Sequence, residues 1–253
     1  MLNDVFSKNI YEKIGRIHSL QTMGLVDGPG VRFVAFLQGC PLRCEYCHNP
    51  DTHDFAGGKV YSVKDLLKRI NRYRVYFGKF GGVTFSGGEP LGQAEFLLAA
   101  IRACQQEGIH TALDTSGFVF DYFGEKVIAE VDLLILDFKF TNTEDYQNKV
   151  GCSMAVPLNA LSIREKVAKP VWLRQVIVPG QHDNAENIGH LRKIIEKFSC
   201  IEKVELLPFR KLCLAKYENM GKAFPLIEQP EASSELIDQL TGELDFESVR
   251  GKK

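Results

Sequence analysis

Arg32-Phe-Val-Ala-Phe-Leu-Gln38-Gly-Cys40-Pro-Leu-Arg-Cys44-Glu-Tyr-Cys47 is the stretch that decides the fold. Residues 32–38 form an apolar, aromatic and β-branched run of strand length. The run ends on Gly39 and enters a loop with a C-x3-C-x2-C spacing, Cys40, Cys44 and Cys47. Three thiolates this close can converge on one soft metal centre. A cubane iron–sulfur cluster has four irons, so three cysteines leave one iron without a protein ligand. An open position of that kind marks a metal site that binds and acts on something. The competing reading is a zinc site completed by His48 or His53, although structural zinc sites usually pair two short ligand spacings.

Working outward from this strand and loop, apolar β-branched runs alternate with amphipathic stretches. Strands are predicted at 32–38, 82–86, 110–114, 133–138, 171–178 and 203–207, and helices at 62–77, 93–107, 121–130, 155–168 and 184–198. Further helical material is expected over 143–150 and 232–240. Ser62 with Asp65 three residues on reads as an N-terminal cap, and Gly108 as a left-handed helix stop. Six β-α units in order imply a parallel sheet with helices outside it. Six are fewer than the eight of a closed barrel, so the expected α/β fold is a partial (βα)6 TIM-like barrel, open on one side. No Gly/Ser-rich or Pro-rich linker divides the chain, so 1–253 is read as a single domain. Its core spans about 25–240, flanked by a short N-terminal extension and a polar C-terminal tail.

Composition narrows the function classes. The 253 residues are 45% hydrophobic and carry a formal net charge of -1, which suits a folded domain and not a phosphate-neutralising nucleic-acid binder. No apolar run reaches the ~20 residues of a membrane span. The start, Met1-Leu-Asn-Asp-Val-Phe-Ser-Lys8, does not read as a signal peptide, so a cytoplasmic location is expected. Of seven cysteines, Cys104, Cys152, Cys200 and Cys213 are scattered and read as small buried hydrophobes in a reducing compartment.

In parallel α/β folds ligands bind at the carboxyl ends of the strands. The chain's unusual residues fall there: the cysteine loop after the first predicted strand, Ser86-Gly87-Gly88-Glu89-Pro90 after the second, and Asp114-Thr-Ser-Gly117 at the end of the third. Asp137-Phe138-Lys139 ends the fourth, Arg174 lies within the fifth, and Arg210 follows the sixth. Each has a plain reading as well. Gly87-Gly88 and Asp27-Gly-Pro-Gly30 make turns, and Asp114 starts one. Asp137 and Lys139 share a strand face as an ion pair, and Tyr73, Tyr76 and Phe77 are expected in the core. The convergence on one rim is what favours a site.

Together these residues resemble the radical S-adenosylmethionine (SAM) superfamily, whose signature is the C-x3-C-x2-C loop followed by a Gly-Gly-Glu-Pro turn. Within it the chain resembles the pyruvate formate-lyase activating enzymes. The resemblance is carried by Gly15-Arg-Ile-His-Ser19, Val26-Asp-Gly-Pro-Gly-Val-Arg-Phe33, Gln38-Gly-Cys40, Tyr46-Cys-His-Asn-Pro50, Gly87-Gly-Glu89, Asp114-Thr-Ser-Gly-Phe118, Leu136-Asp-Phe-Lys139, Val178-Pro-Gly180 and Val204-Glu-Leu-Leu-Pro208. It extends from about Gly15 to Gly221. It implies that Cys40, Cys44 and Cys47 hold a [4Fe–4S] cluster whose fourth iron takes the amino and carboxylate groups of SAM. It implies that Tyr46, His48, Gly88, Asp114, Asp137, Phe138 and Lys139 contact SAM. Where the family often carries His, this chain has Arg210, whose guanidinium could stack on adenine instead.

The implied reaction begins with one electron from a donor protein, flavodoxin or ferredoxin. Reductive cleavage of SAM gives methionine and a 5′-deoxyadenosyl radical, which takes hydrogen from a backbone glycine of pyruvate formate-lyase under anaerobic conditions. A monomer is expected. Two rivals remain: an activase of another glycyl-radical enzyme, and a non-catalytic metal or iron–sulfur module. Many activases of the first kind carry a ferredoxin-like insert, and 49–86 contains no cysteine.

Overall fold

The computed structural model describes residues 10–119 and 121–251. Among these residues eight strands form one mixed sheet in the order β3-β1-β2-β4-β5-β6-β7-β8, so among them β3 and β8 are edges and the sheet is not closed. The strands are β1 (Ile14–Gly24), β2 (Arg32–Leu37), β3 (Lys59–Ser62), β4 (Gly82–Gly87), β5 (His110–Thr115), β6 (Leu133–Asp137), β7 (Val171–Ile177) and β8 (Ile201–Pro208). The helices are α1 (Val63–Asn71), α2 (Ala94–Gln106), α3 (Tyr122–Glu130), α4 (Ala155–Val167), α5 (Ala185–Lys197), α6 (Leu214–Asn219), α7 (Ser234–Leu244) and α8 (Phe246–Gly251). The six predicted strands are all present, and the open α/β architecture agrees with the expectation.

Two compact units can be described separately. The first runs to Pro41 and resumes over Thr52–Ile135. Here β2, β4 and β5 are parallel, with Phe33 beside Val83 and Val83 beside Thr111. Val34, Val83, Phe85 and Leu113 are fully buried, each worth roughly 1.5–3 kcal/mol relative to exposure. Helix α2 buries Leu97, Ala100, Ile101 and Cys104 and stops where predicted, at Gly108 with φ 68°. Ser62 caps α1: its Oγ accepts from the Asp65 N–H at 3.1 Å and donates to the Asp65 carboxylate at 2.8 Å. Such a cap is worth about 1 kcal/mol.

Two strands of this unit escaped the sequence pattern. β1 is antiparallel to both β2 and β3, pairing Ile17 with Leu37 and with Lys59. Its residues are half polar and only three of the eleven are buried, so backbone ladder bonds, not an apolar face, hold it. β3 is four residues long and buries no side chain fully. The helix expected over 62–77 ends at Asn71, and a short 3-10 turn follows over Arg74–Tyr76. Of the three aromatics expected in the core there, Phe77 is buried, Tyr73 is half-buried and Tyr76 is exposed, because the turn breaks the helical periodicity that would have carried Tyr76 inward.

The second unit comprises Leu42–Asp51 with the chain from Leu136 onward. β7 and β8 pair in parallel, Arg174 beside Glu205, and the two side chains form an ion pair at 2.6 Å. The helical material expected at 143–150 is a three-residue turn capped by Asn142 and a wider turn over Tyr146–Val150, ended by Gly151 at φ 87°. The C-terminal helix is longer than expected, and α6 and α8 were not anticipated. Cys104, Cys152, Cys200 and Cys213 are all buried thiols, as expected for small core residues.

Candidate active site

In the first unit, β2 delivers Cys40. The loop is pinned at its start: Gly39 N–H donates to the Thr52 carbonyl at 2.7 Å, and Cys40 N–H to the His53 carbonyl at 3.3 Å. The Gly87-Gly88 turn at the end of β4 closes on the same segment. Gly88 N–H donates to the Leu37 carbonyl at 3.0 Å and Glu89 N–H to the Gly39 carbonyl at 2.9 Å. A Cβ on Gly88 would lie 2.3 Å from the Gly39 oxygen and 3.2 Å from the Cys40 Cβ, so only glycine allows this approach. Gly87 has φ 120°, a conformation that also calls for glycine.

Glu89 was legible in the motif but not as a site residue, and the structure gives it a task. Its buried carboxylate accepts from Leu91 N–H and Ser116 N–H at 3.0 Å, and from the Thr115 and Ser116 hydroxyls at 2.5 Å. Burial pushes its pKa up, opposed by these four donors. Glu89 thus locks the turn after β4 to the turn after β5, which carries Asp114. The Asp114 carboxylate in turn accepts from the Ser86 hydroxyl at 2.9 Å.

The second unit holds the other half of the predicted residues. Cys44 and Cys47 sit on a stretch docked by backbone bonds from Arg43 N–H to the Val150 carbonyl and Glu45 N–H to the Lys149 carbonyl, at 3.1 and 3.2 Å. Burial pushes the Cys47 thiol up, opposed by the Asn49 N–H and by the charges of Lys139 and Lys216. Lys216, unforeseen in the sequence, donates to Asn49 at 2.8 Å and to Asp51 at 3.1 Å, fixing the chain just after Cys47.

Tyr46 is buried and packs on Phe140 with ring centroids 6.0 Å apart. Its hydroxyl donates to the Lys139 carbonyl at 3.3 Å, and the Lys139 ammonium lies 5.6 Å from its ring centroid. The Lys139 ammonium is bonded to the Asp137 carboxylate, as the shared strand face predicted. Burial works against the Lys139 charge, but the Asp137 carboxylate together with the Cys44 and Tyr46 side chains outweighs it and holds the ammonium well above its usual pKa. The other Asp137 oxygen, Oδ1, is buried and has no hydrogen-bond partner. Phe138 is fully buried and edge-on to Tyr146, with ring centroids 5.8 Å apart.

His48 Nε2 lies 2.7 Å from the Arg210 carbonyl, so that nitrogen carries the proton and Nδ1 holds the lone pair. The Arg210 guanidinium donates to the Ala232 carbonyl at 2.6 Å and lies 3.6 Å from Glu231. In this arrangement the side chain clasps the segment before α7, and its backbone orients His48.

These residues fit the expected cofactors. The three loop cysteines form no disulfide and are part-exposed, while the other four are buried. Asp137 Oδ1 beside a buried ammonium is a place for a polar ligand group, and the bare Gly88 backbone offers another. Among the described residues no three His, Cys, Asp or Glu side chains are gathered to hold a single metal ion.

Residues 26–154 match a family described as the 4Fe-4S single cluster domain. Over 214 residues the chain is 46% identical to a pyruvate formate-lyase-activating enzyme of Clostridium pasteurianum, covering 84% of this chain and 90% of that one. The chain belongs to the pyruvate formate-lyase-activating enzyme family. A second family member, the pyruvate formate-lyase 1-activating enzyme of Escherichia coli K12, is 42% identical over 235 residues, 92% of this chain and 96% of that one. At the level of fold, a radical SAM methyltransferase from Sphaerobacter thermophilus superposes with a TM-score of 0.60 at 17% identity, over 87% of this chain and 64% of that one. This activating-enzyme homologue is therefore a radical SAM enzyme with a single [4Fe–4S] cluster.

Proposed function

We propose that this enzyme activates pyruvate formate-lyase by generating its glycyl radical. The observation that carries the reading is the 46% and 42% identity to pyruvate formate-lyase-activating enzymes over most of both chains, with the three-cysteine loop inside the matched region. When bound, the [4Fe–4S] cluster and SAM supply a one-electron reductive cleavage that yields a hydrogen-abstracting radical.

The chain's own residues bind, orient and shield. Cys40, Cys44 and Cys47 are the cluster ligands, leaving one iron for SAM. The Lys139 ammonium is a point charge suited to the SAM carboxylate. Asp137 holds that ammonium with one oxygen and keeps the other for a ligand N–H or O–H. Gly88 brings bare backbone to the methionine part, and Asp114, fixed by Ser86, accepts from a ligand hydroxyl. Tyr46 walls the Lys139 side, and His48 offers Nδ1 as an acceptor. Phe138 supports from the core side of its strand, and Arg210 acts through His48. The donor is flavodoxin or ferredoxin, and the enzyme works as a monomer in the cytoplasm. Among the described residues no helix is long and apolar enough to cross a membrane.

The test is direct. Anaerobically reconstituted protein, reduced and mixed with SAM and pyruvate formate-lyase, should give a glycyl radical signal in electron paramagnetic resonance. SAM cleavage without that signal would reassign the partner. No 5′-deoxyadenosine at all would reject the reading.

A further inference from the structure

The net charge of -1 hides an uneven distribution. Residues 59–79 hold seven Lys or Arg and one acid, net +6, while the other 232 residues hold 24 against 31, net -7. The basic stretch is β3, α1 and the turn after it. Four of its cations (Lys59, Lys64, Lys68 and Arg72) are exposed, and no ion pair or hydrogen bond engages their side chains among the described residues. Lys59, Lys68, Arg69 and Arg72 line one surface groove of about 410 Å³, with Tyr61 under the Arg69 guanidinium at 5.4 Å.

A lysine on an edge strand is ordinarily a guard against edge-to-edge pairing. That explains Lys59 but not the helix cations beyond the strand. Unpaired like charges gathered on one face repel one another, a standing cost that a complementary partner relieves.

The position of this face is informative. β3 is separated from β2 by β1 alone, two strand spacings or roughly 10 Å. The chain leading into β3 is bonded to the cysteine loop. Cys40 N–H donates to His53, Gly39 N–H to Thr52, and the Gln38 amide to the Asp54 carbonyl at 2.7 Å. Lys59 thus lies six residues along the chain from the carbonyl that holds the Cys40 backbone.

We propose that the basic face of β3 and α1 docks an acidic one-electron carrier protein that reduces the cluster. This rests on the radical SAM reading, in which every turnover consumes one electron from outside. The donor is oxidised by one electron, the [4Fe–4S]²⁺ cluster is reduced to [4Fe–4S]⁺, and no covalent bond changes. Opposite charge steers such encounters and raises association rates by roughly 10 to 1,000-fold at low salt. The Debye length of about 10 Å at 0.1 M makes the effect salt-sensitive.

The test compares wild-type holoenzyme with the triple variant Lys59→Glu, Lys68→Glu, Arg72→Glu, and with a Gln triple variant as a milder second set. Two reductants are used, dithionite and reduced flavodoxin or ferredoxin, and donor binding is measured by calorimetry between about 0.02 and 0.3 M salt. With dithionite, 5′-deoxyadenosine formation should stay within about twofold of wild type. With the protein donor at low salt it should fall at least about tenfold in the Glu variant and less in the Gln variant. Donor binding should weaken in parallel and lose its salt dependence. Unchanged donor-driven rate and binding would overturn the proposal, as would failure of both donor proteins with wild type. Equal losses with both reductants would place the defect in the site. Loss of glycyl radical alone would assign the face to the protein substrate instead, and each of these outcomes refutes donor docking. Failure of wild type with dithionite would instead refute the radical SAM reading itself.

Discussion

Gly88→Ala tests whether the turn after β4 is built by contact with the cysteine loop. Gly88 is not at positive φ, so the substitution carries no intrinsic backbone strain and its effect is steric. The new Cβ would start 2.3 Å from the Gly39 carbonyl oxygen and 2.8 Å from its carbon, where real Cβ atoms stay beyond 3.0 Å and ordinarily at 3.4 Å or more. The turn and segment 39–40 must therefore separate by roughly 0.7–1.1 Å. Both partners are backbone, so neither can rotate away. That separation strains the Glu89 N–H bond to Gly39 and displaces Cys40. Overpacking of this kind costs about 1–3 kcal/mol, which for a chain of this size lowers the melting temperature by roughly 2–12 °C. The loss should reach the cofactors as well: iron content after reconstitution should fall, and SAM should perturb the cluster spectrum less. Gly242→Ala is the control. It lies inside α7 with nothing within 4 Å of its Cβ, and should stabilise by about 0.5–1 kcal/mol without touching iron content. A Gly88→Ala protein with full iron, wild-type SAM response and unchanged melting would refute the reasoning.

Other expectations follow from the same geometry. Glu89→Gln presents an amide to a pocket of four donors, leaving Ser116 N–H or a hydroxyl unsatisfied; calorimetric melting should show a loss of about 1–3 kcal/mol. Lys139→Met removes the ammonium beside Asp137, and equilibrium dialysis should show SAM affinity weakened about 10–100-fold with iron content retained. His182 is buried, its Nε2 held by the Val176 carbonyl, and burial lowers its pKa below the usual 6.5; burial likewise lowers that of His110, beside Arg32. A base with a depressed folded-state pKa binds its proton in the unfolded chain first. Its stabilisation is therefore present above about pH 6.5 and lost as pH falls below it. Denaturant midpoints should drop between pH 7 and pH 5, and His182→Phe should flatten that slope; a steeper slope in the variant would contradict the assignment.

How much of this could be read in the chain differs by element. The buried parallel strands were legible because burial on both faces leaves an apolar run, as in 133–138. β1 and β3 were not, because they are held by backbone pairing and their side chains stay largely in water. The early end of α1 was missed because Tyr73 and Phe77 kept the look of a helical face after the helix had stopped. Glu89 and Lys216 were illegible as positioning residues, since each acts on atoms far along the chain: Ser116 for the first, Asn49 and Asp51 for the second.

The residues proposed for the chemistry stand out in the chain because their spacing is local. Cys40, Cys44 and Cys47 fall within eight residues of sequence, and Asp137 and Lys139 share a strand face by the period of two. What holds those residues in place was decided by tertiary structure. The Gly88 backbone against Gly39, the Thr115 and Ser116 donors around Glu89 and the Arg210 carbonyl on His48 join positions 26 to 162 residues apart. Nothing in a linear pattern encodes such a meeting. It arises when buried polar groups, each too costly to leave unpaired, find one another as the sheet and its loops pack.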